Sequence, residues 1–314
     1  MTTFGEMGED ALIALFAPRL PSTDAEILGP GDDAAVLAVD GDLVVSTDVL
    51  VENRHFRLEW SNGTDVGWRA AMQNLADIDA MGAVPTALEV TLCAPASTPV
   101  EFVLELADGL REACEPHGVG VVGGDLSGAS EIVVAVTAIG ETHGTEPITR
   151  ADARAGDVVA VAGALGAARA GYAQLSRGER VDEQAIELFL RPQPRIGAGL
   201  EAALHRATAM MDLSDGLARD AGRLARASGL TIAIDSSSVP VHDAARRTAA
   251  ALEMPEAALA WALAGGEDHH MLATFPRAAD VPAGWHVIGS AEEGAAQLLV
   301  DGAAPADQGW DHFS

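Results

Sequence analysis

Acidic residues recur in this chain at the ends of apolar runs, and that placement is the first sign of chemistry. Asp32-Asp33 follows the turn Gly29-Pro30-Gly31, Asp48 follows Leu43-Val44-Val45-Ser46-Thr47, and Asp125 follows Val119 to Gly124. Asp212 and Asp215 follow Ala209-Met210-Met211, and Glu267-Asp268 follows Leu263 to Gly266. Asp77 and Asp79 join them from a helical stretch. One isolated Asp-Asp reads as a solvated turn; repetition at the ends of several elements reads as a scaffold that collects carboxylates. Four carboxylates within ~6 Å repel by roughly 2–3 kcal/mol per pair at an effective dielectric of ~20. Divalent cations reverse that sign, and an oxygen-only ligand set favours Mg²⁺, Mn²⁺ or Ca²⁺ over zinc.

Mg²⁺ keeps waters and shares its shell with substrate phosphates. Gly123-Gly124-Asp125 fits a phosphate, because glycine lets backbone N–H groups come close. Such a tripeptide is also a common turn. All 19 basic residues are arginine and none is lysine. That excludes a P-loop lysine and a lysine Schiff base. Any phosphate must then meet metal ions, arginine or backbone N–H groups; Arg150 and Arg154 are candidates, against the bland reading of solvated linker charges. Asp215 doubles as a helix cap on its spacing, which Asp212 cannot. His55 stands alone, and His269-His270 on a strand would point to opposite faces. No Ser/His/Asp or Cys/His arrangement supports covalent acyl chemistry.

The formal charge of −28 argues against nucleic acid and anionic membranes as partners. No apolar run is long enough to span a bilayer. The opening residues lack the basic-then-apolar pattern of a secretory leader. Cys93 and Cys114 lack metal-ligand spacing and read as thiols of a reducing compartment, so the chain is expected in the cytoplasm.

With 314 residues and 48% hydrophobic content, there is material for two ordinary domains. A stretch poor in apolar residues from Thr142 to Gly156 marks the expected boundary, placing domains at residues 1–148 and 149–314. Ala34 to Val39 and Leu43 to Ser46 read as paired strands turning at Asp40-Gly41-Asp42. Thr64 opens a helix that puts Asn74, Asp77 and Met81 near one face. Thr98-Pro99-Val100-Glu101 has capping-box form with proline at the first helical position. Val119 to Val122 and Ile132 to Ile139 read as strands around a Gly123–Gly128 loop. Further strands are expected at Asp157 to Val161, Thr208 to Met211, Thr231 to Ile234, His270 to Phe275, Trp285 to Ile288 and Gln297 to Val300. Helices are expected at Gly163 to Leu175, Asp182 to Leu190 and Gly216 to Ala227. Mixed elements of this kind predict an α+β or α/β layered fold.

Taken together and in order, these motifs resemble the thiamine-monophosphate kinases, of the aminoimidazole ribonucleotide synthetase-like ATP-binding superfamily. The resemblance runs through Gly29 to Val36, Ser46-Thr47-Asp48 with His55-Phe56, Asn74 to Asp77 with Ala80 to Ala83, and Gly123-Gly124-Asp125. It continues with Thr149-Arg150, Gly156-Asp157, Arg191-Pro192, Pro194-Arg195, Asp212 to Leu217, Gly265 to Asp268 and the terminal Gly309 to Phe313. It implies a two-domain α+β fold, with a mixed or antiparallel N-terminal sheet and a C-terminal α/β domain. It implies a homodimer joined through N-terminal sheets, ATP as co-substrate and several Mg²⁺ ions. Carried onto matching positions, it implies Asp33, Ser46, Thr47, Asp48, Asp77, Asp125, Asp212 and Asp215 at metal. Gly124, Asp125, Arg150 and Ser214 would meet nucleotide, and His55, Glu267 and Trp310 the acceptor. The implied reaction is ATP-dependent phosphorylation of thiamine monophosphate to thiamine diphosphate by direct transfer, with no residue acting as a catalytic base. The alternatives are another ATP-using member of that superfamily and a non-catalytic acidic divalent-cation binder. The chain departs from the pattern at Ala76, usually serine, at Asp79, usually small, and at His269-His270, usually Tyr-Glu.

Overall fold

A computed structural model describes residues 2–30, 34–307 and 309. Asp33 and Trp310 lie outside the described residues. The chain forms two compact units: residues up to Ile78 with Ala83–Thr145, and Asp79–Gly82 with the residues from Glu146 onward.

Unit 1 runs α1 (Phe4–Met7), α2 (Glu9–Phe16), β1 (Glu26–Leu28), β2 (Val36–Leu37), β3 (Leu43–Val51), α3 (Gly63–Asp79), β4 (Val84–Ala94), α4 (Val100–Cys114), β5 (Gly120–Gly128) and β6 (Val133–Glu141). Its four-stranded sheet has the order β3-β6-β4-β5. Both neighbours of β6 are antiparallel to it, whereas β4 and β5 are parallel. Alternation decides which face is buried: Val134, Val136 and Ala138 of β6 are covered, and the residues between them are half-exposed. Helices α3 and α4 touch backbone to backbone at Gly109, where a Cβ would collide with the Thr64 carbonyl oxygen. That contact needs glycine.

Three local expectations are corrected here. Strand β3 does not pair with the preceding segment; it pairs with β6 along its whole length, and β2 turns back onto β1. Nine residues of continuous ladder outcompete a hairpin with only a few pairs. Pro99 is the N-cap of α4 rather than its first helical residue, and no side chain caps that end. The expected loop at Gly123–Gly128 is strand: parallel pairing with β4 carries β5 through both glycines, past a register shift at Leu88/Glu89. Gly124 is required because a Cβ there would strike the Val90 carbonyl oxygen.

Unit 2 comprises β7 (Val158–Val161), α5 (Ala167–Leu175), α6 (Glu183–Leu190), α7 (Ala198–Leu204), β8 (Ala209–Asp212), α8 (Leu217–Ser228), β9 (Thr231–Ile234), α9 (Asp243–Ala251), α10 (Ala257–Ala264), β10 (Met271–Phe275), β11 (His286–Glu292) and β12 (Gln297–Val300). Its six strands have the order β12-β9-β11-β7-β10-β8, antiparallel except for β9–β12. Strand β10 is buried along its whole length, so its sequence is an unbroken apolar run apart from Thr274. Leu217, Ala221 and Leu224 of α8 pack in one cluster with Val159, Met211, Leu272 and Ile288. The Asp79 carboxylate accepts from the Gly199 N–H (3.0 Å) and the Leu200 N–H (3.4 Å) at the start of α7. Burial pushes that carboxyl up to about 6, against the pull of these N–H groups and Arg195. The departure at Asp79 thus has a structural role.

Candidate active site

In unit 1 the acids are set by two matched periodicities. Ser46 and Asp48 lie two apart on β3, and Gln73 and Asp77 lie four apart on α3. Two strand residues span ~6.7 Å and four helical residues ~6 Å, so two contacts form side by side. The Ser46 hydroxyl donates to Asp77 Oδ2 (2.8 Å), and Gln73 Nε2 donates to Asp48 Oδ2 (2.7 Å). Asp48 Oδ1 also accepts from the Val49 N–H (3.1 Å). Thr47 faces the other way, and its hydroxyl donates to the Val136 carbonyl (3.0 Å). Asp125 is exposed on β5, opposite Thr91 of β4. Two strands separate it from β3, on the order of 14 Å across the sheet. His55 is half-buried, and its Nδ1 accepts the Val51 N–H (2.9 Å). The His55 carbonyl accepts from Arg69 (3.2 Å).

In unit 2 the acids cluster where β8 gives way to α8. Asp212, at the end of β8, lies 3.3 Å from His269 Nδ1, and both are buried. Asp215 was expected to double as the cap of α8, and it does not: Gly216 is the N-cap and makes no side-chain cap bond. Asp215 instead pairs with Arg223 (2.7 Å) and Arg219 (3.7 Å). Its own N–H donates to Asp220 Oδ2 (3.0 Å), and Arg223 bridges to Asp220 Oδ1 (2.7 Å). Burial pushes Asp220 up to about 7; the Asp212 and Asp215 charges add to the rise, and Arg223 opposes it. The Ser214 carbonyl accepts the Glu267 N–H (2.9 Å). Glu267 and His269 both adopt positive φ, 73° and 53°. Between them Asp268 accepts from the N–H groups of Gly166 (2.6 Å) and Ala168 (3.2 Å), holding the first turn of α5. Burial pushes the Asp268 carboxyl up to about 6. Arg150 is exposed, and its carbonyl accepts from Ser228 (2.8 Å).

A cavity of about 250 Å³ opens beside this segment, with Glu267, Asp268 and His270 on its wall. The sequence pattern singles out none of Gln73, Asp220 and Arg223, and it names Asp268 only as one of the collected acids, not as the anchor of α5. The spacing of Arg219 and Arg223, four and eight after Asp215, was one available signal. Among the described residues, no group of three or more His, Cys, Asp or Glu is arranged to hold a metal ion. A site of one or two carboxylates completed by water and substrate phosphates is the mode Mg²⁺ prefers over an all-protein cage, so paired oxygen donors such as Asp48 and Asp77 fit it.

The two halves match the two models of one family: AIR synthase related protein, N-terminal domain, at residues 31–142, and its C-terminal domain at residues 154–299. A thiamine-monophosphate kinase from Mycobacterium tuberculosis is 44% identical, covering 99% of this chain and 93% of that protein. Its counterpart from Corynebacterium glutamicum is 38% identical, covering 99% and 95%. A ThiL structure in complex with AMPPCP and TMP is 31% identical, covers 98% of each chain and superposes with a TM-score of 0.80. The fold and the paired domains define an AIR synthase related protein. The chain belongs to that family, and within it to the thiamine-monophosphate kinases.

Proposed function

We propose that this protein transfers the terminal phosphoryl group of ATP to thiamine monophosphate, giving thiamine diphosphate and ADP. The observation that carries the reading is the end-to-end likeness to thiamine-monophosphate kinases, over both domains and without a large gap. The chemistry is consistent with it. The acceptor is a phosphate whose second pKa is about 6, so its oxygen is already anionic near neutrality. No strong base is needed, and the residues act by positioning.

The proposed metal ligands are Asp33, Ser46, Asp48, Asp77, Asp125, Asp212 and Asp215, together with Thr47, whose hydroxyl is turned to the Val136 carbonyl and which would contribute a backbone oxygen. When bound, Mg²⁺ supplies neutralisation of phosphate charge. The chain's own residues orient the reactants: Gly124, Asp125, Arg150 and Ser214 on the nucleotide, and His55, Glu267 and Trp310 on the acceptor. An indole at position 310 suits a cationic thiazolium, a contact worth ~0.5–2 kcal/mol. Among the described residues, no helix is long and apolar enough to cross a membrane. We place the enzyme in the cytoplasm as a homodimer. Exposed Leu43, Val45 and Val49 on the edge strand β3 support a subunit contact there.

The test is ADP formation with Mg-ATP and a panel of phosphorylated acceptors. Turnover confined to thiamine monophosphate is expected. Turnover of a different acceptor would move the protein to another branch of its family, and binding of Mg²⁺ without turnover would make it a cation binder.

A further inference from the structure

The loop that carries Arg150 is held mainly by its backbone. The Thr149 carbonyl accepts the Met210 N–H (3.0 Å) of β8. Met210 lies two residues before Asp212, ~6.7 Å along the strand. The Thr149 hydroxyl accepts the Ala151 N–H (3.1 Å) and donates to Asp152 Oδ2 (2.6 Å), which closes the turn around Arg150. Ala153 is buried in the main cluster of unit 2, and the Arg154 N–H donates to Asp157 Oδ2 (2.8 Å). Into this turn reaches Ser228, the last residue of α8. Its hydroxyl donates to the Arg150 carbonyl (2.8 Å) and accepts the Ala153 N–H (3.3 Å). A hydroxyl has one proton to give, and this one gives it to the backbone of Arg150.

The side chain of Arg150 is treated differently. It is exposed, and among the described residues its guanidinium makes no ion pair. Arg180, Arg195, Arg219, Arg223, Arg247 and Arg277 of the same unit each pair with a carboxylate. In a chain of charge −28, an arginine with a fixed backbone and an unclaimed head is arranged to meet an anion from outside. Fixing the backbone beforehand lowers the ordering cost of that encounter. We infer that Ser228 is a positioning residue for the phosphoryl transfer: it fixes the Arg150 carbonyl against the end of α8 and so holds the guanidinium for the phosphates of the nucleotide. The inference rests on Arg150 meeting the nucleotide. It also gives α8 a second duty. The helix begins beside Asp215, proposed at metal, and ends at Ser228, ~18 Å further on by its rise. One rigid element thereby keeps the metal-side turn and the arginine loop in register.

The test measures binding of AMPPCP with Mg²⁺ to the full-length protein by titration calorimetry, in a cycle of Ser228→Ala, Arg150→Ala and the double variant. Ser228→Ala should raise the Kd about three-fold, whereas Ser228→Thr, which keeps the hydroxyl, should stay within about 1.5-fold of wild type. In turnover the KM for ATP should follow the Kd, and the KM for thiamine monophosphate should not move. In the Arg150→Ala background the Ser228→Ala change should matter by less than about 1.5-fold, because a residue acting through Arg150 then has nothing to act on. If Ser228→Ala fails to fold by thermal melt, Ser228→Cys, whose thiol is a weak donor, takes its place in the cycle with the same expectations. A Kd for the folded variant within about 1.5-fold of wild type overturns the inference, and so do equal losses in both backgrounds, which would make Ser228 a structural staple only. Wild-type affinity in Arg150→Ala would reject the nucleotide role of Arg150 and this inference with it. Calorimetry needs no acceptor, so absence of any turnover of thiamine monophosphate would reject the proposed reaction alone.

Discussion

The acids of unit 1 and those of unit 2 are held by different kinds of partner. Asp48 and Asp77 receive the bonds described above from an amide, a hydroxyl and a backbone N–H. Asp215 and Asp220 share Arg223, Arg219 stands near Asp215, and Asp212 faces His269. Neutral donors orient a carboxylate without cancelling its charge. A guanidinium cancels it, and Asp220 goes further by taking up protons around neutrality. An added cation therefore has most to gain in unit 1, whereas unit 2 presents acids whose repulsion is already partly relieved.

The largest effect should come from the charge itself. Asp48→Asn and Asp77→Asn should each lower turnover roughly 100-fold or more, since a metal contributes several kcal/mol and each ~1.4 kcal/mol is tenfold. Their melting temperatures should hold or rise. Asp212→Asn should lower turnover too, but with a lower melting temperature, because its buried neighbour His269 loses a charged partner. Near-normal Mg²⁺-dependent turnover in all three breaks the metal side of the comparison.

Next come the cations. Arg150 is exposed, so Arg150→Ala should raise the KM for ATP by roughly several-fold to ten-fold, about 1–1.4 kcal/mol, with stability unmoved. Arg223→Gln should do the opposite, costing about 1–2 kcal/mol in denaturant unfolding after allowance for its partial exposure. Gln73→Leu, which removes one neutral bond in unit 1, should cost about 1 kcal/mol or less. A larger loss from Gln73→Leu than from Arg223→Gln would reverse the contrast between the units.

A pH slope gives a readout of a different kind. Asp268 has its folded pKa raised to about 6 by burial, from an ordinary value near 3.8. The folded state therefore binds the proton more tightly than the unfolded chain. Its contribution is fully present below the unfolded value and is lost as pH rises through about 6. Asp268→Asn removes this dependence, so the variant's melting temperature relative to wild type should climb between pH 4 and pH 7 and then level off. A flat difference across that window would show that Asp268 is not proton-linked.

Much of this was legible in one chain because local signals and tertiary needs agreed. Strands β9 and β12 coincide with the expected residues, and Asp182 caps α6 as an acid before an apolar-periodic run should. Helices α9 and α10 were passed over. In Ala257–Ala264 nearly every residue is apolar, so no face stands out, and Asp243–Ala251 is mostly alanine and arginine. Gly123-Gly124 signalled a turn locally, but pairing with β4, fixed by a segment some thirty residues away, made it strand. The same distance problem hid the partners of the acids. Nothing near Asp268 announces that its carboxylate will hold the start of α5, about 100 residues earlier in the chain. Gln73 carried a weak signal, one helical turn before Asp77.

The brief return of the chain at Asp79–Gly82 bears on how the protein can be cut. Those four residues belong to unit 2, although they lie in the chain before unit 1 is complete. Asp79 meets Gly199 across 120 positions, and the Met81 carbonyl accepts the Ile148 N–H. A gene fragment beginning at residue 146 would therefore encode six strands and six helices but lack the tetrapeptide that secures the start of α7. Three amides, of Ile148, Gly199 and Leu200, would lose their acceptor, a loss of about 1–3 kcal/mol for each that stays buried and less where the backbone frays into water. Domain shuffling or split-protein complementation at the linker must carry residues 79–82 with the second half, for instance as a peptide supplied in trans. On the ribosome the order of synthesis removes the difficulty, because Asp79 emerges long before the helix that needs it.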